Sequence, residues 1–249
     1  MEHRAYRNIL PDAKTAVLFI HGINGTPNHF RDLVKLIPEG CSVVNLLLKG
    51  HGKGVSDFAK ASMKEWKAQV DAEVESLLEN HDKLLIAAHS MGTLFAIRQA
   101  IKHPDKVGAL FLIAVPLRVH VKFRMIRTVF LTRTGRVRPD DAWTQAAVKC
   151  YGIRVESGFW KYIPWVCRYL ELFREIWDMN RQLGQLQTPC LCYQSNMDEL
   201  VSRKSGDILR KNKFAMVHIL ENSGHFYYEE KDYKRLTEDF SGFLEAHIQ

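Results

Sequence analysis

A serine, a histidine and a carboxylate can together cleave an acyl bond. The hydroxyl becomes a useful nucleophile only when a base takes its proton, and the acid holds that base in line. Ser90 lies in Ala88-His89-Ser90-Met91-Gly92, between the apolar run Lys83–Ala88 (KLLIAA) and an amphipathic stretch from Met91 to about Lys102. Small residues two before and two after a serine suit a sharp strand-to-helix turn, because bulky side chains there would collide with neighbouring backbone. Such a turn lifts the Ser90 hydroxyl out of a sheet and points the first N–H groups of a helix at it. The pentapeptide matches G-x-S-x-G with Ala88 in the first glycine place. A match this short arises by chance, so its weight comes from its position.

Of eleven histidines, His225 stands out in Ser223-Gly224-His225-Phe226, a short loop between the last apolar run and the last amphipathic stretch. That loop belongs at the same edge of a sheet as Ser90. The orienting acid is expected between the two, in the chain order Ser, Asp or Glu, His. Asp198 follows another apolar run, in Ser195–Val201 (SNMDELV), and its neighbour Glu199 is the competing candidate. An acyl-transfer site also needs donors for the oxyanion. The glycine-rich turn His21-Gly22-Ile23-Asn24-Gly25-Thr26 ends an early apolar run, where the Ile23 N–H could pair with that of Met91.

These residues need a sheet whose strand ends meet. Thr15–Ile20, Ser42–Leu48, Lys83–Ala88, Val107–Val115, Thr188–Tyr193 and Ala215–Leu220 read as strands. Helical spacing of apolar residues marks Pro27–Ile37 with Thr26 as N-cap, and Ser62–Leu78 with a Ser62/Glu65 capping pair. Further helices fall at Met91–Lys102, near Ser202–Lys211, and from about Glu229 to His247. Alternating strands and helices, with nearly continuous apolar strands, predict an α/β fold with a doubly wound, mostly parallel sheet of about six or seven strands. Ligands of such sheets sit beyond the carboxyl ends of the strands, where all three candidate loops fall.

Taken together, His21-Gly22, Gly50-His51-Gly52, Ala88-His89-Ser90-Met91-Gly92, Asp198-Glu199-Leu200-Val201 and Gly224-His225 resemble the α/β-hydrolase superfamily. Within it the chain is most similar to small bacterial serine carboxylesterases and monoacylglycerol lipases. The resemblance covers roughly residues 14–115 and 187–247. It implies Ser90 as nucleophile, His225 as general base and then acid, Asp198 as its orienter, and the Ile23 and Met91 amides as oxyanion donors. His21, Gly22, His89 and Gly92 would support the motif, and His51 receives no catalytic role. No metal and no organic cofactor are implied. Ala88 departs from the usual glycine by one methyl. The short segment before the first core strand implies a sheet lacking the first strand or two of the full pattern. The implied activity is cleavage of carboxylic esters. Thioesterase, amidase or acyltransferase chemistry on the same triad stays open, as does a non-catalytic binding protein.

From Pro116 to Leu186 the alternation stops, and seventy residues without a core strand are too many for a loop. Residues 116–186 are therefore expected as an inserted helical cap on a core of 1–115 and 187–249. Trp143, Tyr151, Phe159, Trp160, Tyr162, Trp165, Tyr169, Phe173 and Trp177 could line an acyl pocket there, or simply pack the cap down. The net charge of +7 is concentrated. Arg118, Lys122, Arg124, Arg127, Arg133, Arg136 and Arg138 occur with no acid between 118 and 138, which is either a solvated face or one suited to anionic ligands or surfaces. No nucleic-acid motif is present. The N-terminus lacks an apolar signal-peptide core and no run is long enough to span a bilayer. Five scattered cysteines read as reduced thiols of a cytoplasmic protein, and Cys190-x-Cys192 is too tight for a zinc knuckle. A small-molecule ester is the expected partner, and oligomeric state is not legible.

Overall fold

The computed structural model describes residues 3–248, so Met1, Glu2 and Gln249 of the expected core lie outside the described residues. The strands run β1 (Tyr6–Asn8), β2 (Thr15–Ile20), β3 (Ser42–Leu46), β4 (Lys53–Gly54) and β5 (Lys83–His89). They continue with β6 (Val107–Ile113), β7 (Ile153–Arg154), β8 (Cys190–Ser195) and β9 (Ala215–Leu220). Seven of them form one sheet in the order β1-β3-β2-β5-β6-β8-β9. Every neighbouring pair is parallel except β1 with β3.

The helices begin with α1 (Arg31–Val34), α2 (Val55–Lys60), α3 (Met63–Asn80) and α4 (Met91–Lys102). After β6 come α5 (Phe123–Thr134), α6 (Ala142–Cys150) and α7 (Trp165–Gln182), and then α8 (Lys204–Leu209) and α9 (Glu230–His247). All six residues of β2 are buried, because side chains of a central strand alternate between two covered faces. Leu18 and Ile20 join Trp66, Val70, Leu94 and Phe95 from α3 and α4 on one face. Val17 and Phe19 join Phe30, Leu236 and Phe240 on the other. Ser62 caps α3 by accepting from the Glu65 N–H at 3.3 Å, as the sequence pattern predicts.

One local expectation changes, and three short strands appear that the sequence pattern did not mark. Pro27–Ile37 is not one helix: it is a 3-10 turn at Pro27–Phe30, capped by Thr26, followed by the four residues of α1. A short strand is added at the edge, where β1 pairs antiparallel through Tyr6↔Asn45, and the total of seven stays within the six or seven expected. The two residues of β4 also pair with the two of β7, tying the loop after β3 to the helical stretch beyond β6. Between β6 and β8 no strand joins the main sheet, and α5, α6 and α7 fill the interval.

All five cysteines are unpaired. Cys190 and Cys192, two apart on β8, share a face and are buried in one apolar cluster. Among the described residues no helix is long and apolar enough to cross a membrane, and no group of three His, Cys, Asp or Glu side chains could hold a metal ion.

Candidate active site

Ser90 occupies the one-residue junction between β5 and α4, at φ +52° and ψ −125°. A serine seldom holds this left-handed conformation, and it persists only where the surroundings enforce it. Two close approaches enforce it here. A Cβ on Gly92 would strike the Ile20 carbonyl oxygen and lie 2.8 Å from that of His21, so α4 can start against the end of β2 only with glycine at 92. A Cβ on Gly22 would lie 2.7 Å from the Ser90 Cβ and 3.3 Å from its Oγ. The turn after β2 therefore lies directly against the serine. The Ser90 N–H donates to the Ile113 carbonyl at 2.9 Å, which pins the junction to the end of β6. Ala88 is fully buried with its methyl accommodated.

At the ends of β8 and β9, the Asp198 and His225 loops meet. His225 Nδ1 is 2.9 Å from Asp198 Oδ2, and both side chains are buried. Asp198 Oδ1 accepts the N–H groups of Leu200 and Val201, each at 2.7 Å. The carboxylate thus has its two oxygens divided between its own loop and the imidazole. Glu199, the rival acid, does not touch the ring. Its Oε2 accepts the main-chain N–H of His225 at 2.9 Å, and burial raises its pKa above the usual carboxyl range. No hydrogen bond joins Ser90 Oγ to His225 among the described residues; such bonds often close only when substrate is bound.

The supporting histidines are buried and neutral for a common reason, the cost of charging an imidazole away from water. His21 Nδ1 lies 2.8 Å from the Gly22 carbonyl, and Nε2 accepts the Leu48 N–H at 3.0 Å. One nitrogen donates and the other accepts, which only the neutral ring can do, and burial holds its pKa down at about 4. His21 thereby couples the turn after β2 to the chain leaving β3. His89 Nε2 lies 3.1 Å from the His225 carbonyl, so the residue before the serine reaches the backbone of the histidine loop. His51 packs edge-on against His21 and Phe58 and tilted against Trp66. Ile23 follows Gly22 and Met91 follows Ser90, so their N–H groups belong to the two segments that meet at the serine.

Sequence reasoning missed His29 and did not foresee the contacts of Asn24, Trp143 and Arg124, which it named only within the glycine-rich turn, the aromatic set and the basic run. His29 lies 3.8 Å from His89, ring centre to ring centre, and burial pushes its pKa to about 3. Asn24, at φ +57° in the turn after β2, donates from Nδ2 to the Tyr169 hydroxyl of α7 at 2.6 Å. Trp143 of α6 stacks on Tyr227 at 4.6 Å and leaves no room for a Cβ on Gly224. Arg124 of α5 lies over the same indole at 3.9 Å. No local pattern announces these long-range contacts, although a glycine directly before the candidate histidine hinted at a close approach. Of the aromatic residues expected over the site, Trp165 is buried, while Tyr151, Tyr162 and Tyr169 pack partly buried against the core. Phe159, Trp160, Phe173 and Trp177 do neither of the things expected of them, because they face solvent.

A profile of the alpha/beta hydrolase family matches residues 17–238. A thermostable monoacylglycerol lipase from Bacillus sp. (strain H-257) is 31% identical over 194 residues, 78% of this chain and 74% of that protein. A pimeloyl-[acyl-carrier protein] methyl ester esterase from Neisseria meningitidis serogroup B (strain ATCC BAA-335 / MC58) is 33% identical over 117 residues, spanning 46% of this chain and 42% of that protein. Among solved structures, one from a study of two metagenome-derived lipolytic enzymes, LipS and LipT, superposes with a TM-score of 0.76 at 19% identity, covering 99% of this chain and 98% of that one. The monoacylglycerol lipase of Paleococcus ferrophilus gives 0.71 at 17% identity, with 99% and 100% covered. At those identities the likeness is one of fold. The profile spans most of the chain and the Bacillus enzyme aligns along three quarters of it, so this protein belongs to the alpha/beta hydrolase family.

Proposed function

We propose that the chain is a serine hydrolase of carboxylic esters. The observation that carries this reading is the buried Asp198–His225 pair, 2.9 Å apart, at the sheet edge where Ser90 is held out of its strand in a left-handed conformation. In this reading Ser90 Oγ attacks the ester carbonyl as His225 Nε2 takes its proton, while Asp198 keeps Nδ1 protonated and the ring aligned. The Ile23 and Met91 amides receive the negative charge that develops on the carbonyl oxygen. The alkoxide leaves with the proton from His225, and a water activated by the same ring hydrolyses the acyl-enzyme.

Ester over other acyl substrates is supported by the relatives, one named a monoacylglycerol lipase and the other a methyl ester esterase. Residues 116–186 serve as a cap over this edge, since α7 reaches the turn after β2 through Tyr169 and α6 reaches the histidine loop through Trp143. Five unpaired thiols suit a reducing, cytoplasmic setting.

The test is hydrolysis of p-nitrophenyl esters from acetate to palmitate by wild type and Ser90→Ala. Turnover should fall by roughly a thousandfold or more in the variant, with an optimum chain length in the wild type. Equal rates in the two proteins at every chain length would overturn the assignment.

A further inference from the structure

α7 carries two apolar stripes. Trp165, Leu172, Ile176 and Met179 are buried and face the core. Val166, Leu170, Phe173 and Trp177 recur at intervals of four, three and four, and all are half or more exposed. A helix with an apolar face on its solvent side has a face waiting for cover. α5 repeats the feature: Phe123, Ile126 and Phe130 lie on one side and Phe123 is 78% exposed. The turn at Phe159–Tyr162 leads into α7 and meets α5 at one side chain. Its Phe159 and Trp160 are exposed, Ile163 continues the patch into α7, and Arg133 of α5 lies over the Tyr162 ring at 5.5 Å. Single exposed apolar side chains are ordinary, but a row of them along α7 and the turn that leads into it, repeated on α5, is not.

Charge identifies the occupant. The stretch 118–138, which includes α5, has seven basic residues and no acid. Two of the three acids on α7 are engaged away from the exposed stripe: Glu175 is buried against Lys67 at 2.7 Å, and Glu171 accepts the Met63 N–H at 3.0 Å, while Asp178 is half-buried beside Trp177. Arg174 and Arg181 remain exposed, the latter over the Trp177 ring at 4.6 Å. Arg127 and Arg138 are paired with Asp141 and Asp140 at 2.8 Å each, but aromatic and aliphatic side chains flanked by Arg133, Arg174 and Arg181 suit the boundary of a bilayer, where acyl chains take the apolar groups and anionic headgroups take the cations. An aqueous protein partner would need a matched apolar surface, whereas a bilayer accepts any.

We infer that the outer face of α5, the Phe159–Ile163 turn and α7 docks this protein on an anionic lipid surface. Tyr169, on the core side of the same helix, would link the docked α7 to the Asn24 turn beside Ser90. The inference goes beyond the hydrolytic reading and does not depend on it.

Flotation of the full chain with phosphatidylcholine vesicles, with and without about 30% phosphatidylglycerol, tests it. Binding should be about tenfold stronger on the anionic vesicles and should weaken as salt is raised. Leu170→Glu and Ile126→Glu place a carboxylate in each exposed stripe. Each should abolish binding while leaving turnover of a soluble ester unchanged. Arg133→Gln with Arg136→Gln should erase the preference for anionic lipid. Ser90→Ala should bind as wild type, so a failed ester assay and a failed docking proposal give different results. Absent binding, or binding that is equal on both vesicles and untouched by Leu170→Glu, overturns the inference. So does a micromolar dimer that Leu170→Glu dissociates without any vesicle binding, which would assign the face to a second copy of this chain.

Discussion

Glu199 Oε2 and the backbone nitrogen of His225 lie 2.9 Å apart, while the adjacent Asp198 holds the imidazole of the same residue at the same distance. Two neighbouring carboxylates thus grip one histidine by different handles, the ring and the main chain. The main-chain grip matters because the loop at Gly224 is also compressed by Trp143. Glu199→Ala leaves a buried N–H unpaired, at a cost of about 1–3 kcal/mol, and should lower kcat/KM roughly tenfold. Glu199→Gln keeps an acceptor and should stay within about threefold of wild type. Steady-state kinetics of both variants on one soluble ester check this; equal losses would mean that the charge, and not the acceptor, is what matters.

Glu199 also carries a pH signature. Burial raises its pKa, so the folded protein retains that proton to higher pH than the unfolded chain does. Its charged form therefore costs stability that is absent below the ordinary carboxyl range and grows as pH rises toward the raised value. The stability of Glu199→Gln relative to wild type should increase between about pH 4 and pH 7. Urea unfolding midpoints across that range read it directly, and a constant difference would contradict it.

The buried histidines act in the opposite sense. His21 and His29 are held by burial at about 4 and about 3, and His51 and His89 well below the usual value. Their folded pKa values are depressed, so the unfolded chain takes up protons first as the solution is acidified. The stability they contribute is complete above about pH 6.5 and is lost as pH falls from there toward about 4, at up to about 1.4 kcal/mol per pH unit for each ring. His29→Phe keeps a ring against His89 and removes one titrating group. Its stability should fall less steeply over that window; an unchanged slope would show that His29 is not held neutral.

Gly22 and Gly92 are predicted to fail differently. A methyl at 92 meets the backbone of β2, which cannot yield, so Gly92→Ala should lose about 1–3 kcal/mol or more and fold poorly. A methyl at 22 meets the Ser90 side chain first, at 2.7 Å, with the His89 carbonyl oxygen at 3.2 Å. Gly22→Ala should fold with a modestly lowered Tm while kcat falls by about a hundredfold through the displaced serine. Calorimetry alongside kinetics separates the two, and full activity in Gly22→Ala would show that the serine tolerates the shift.

Tyr169→Phe removes the hydroxyl that accepts the Asn24 hydrogen bond and little else. A hydrogen bond of this kind is worth about 1 kcal/mol, so kcat/KM should fall about fivefold with Tm nearly unchanged. An unaltered kcat/KM would mean that the turn beside Ser90 holds its shape without α7.

Most of the site could be read along the chain because each of its parts is local. The elbow at Ser90 and the turn at Gly22 each follow an apolar run suited only to a central strand, and the loop around His225 follows the apolar edge strand β9. A parallel sheet then delivers the ends of those strands to one edge. β1 was invisible for the converse reason: Tyr6, Arg7 and Asn8 are exposed and carry no apolar pattern, and only pairing with β3 makes them a strand. The four residues of β4 and β7 likewise exist as strands only through each other.

The sequence by itself determined the fold class, the order of the candidate triad and the glycines that let backbone approach the serine, since strand periodicity and small side chains are properties of neighbours along the chain. Which of two adjacent acids meets the imidazole was decided by tertiary structure, because Asp198 and Glu199 differ by one position in a loop that no period constrains. The two stripes of α7 show the same limit. Both are apolar and both repeat at helical spacing, so composition cannot tell covered from bare. Burying Trp165, Leu172, Ile176 and Met179 against the core is what leaves Val166, Leu170, Phe173 and Trp177 facing outward.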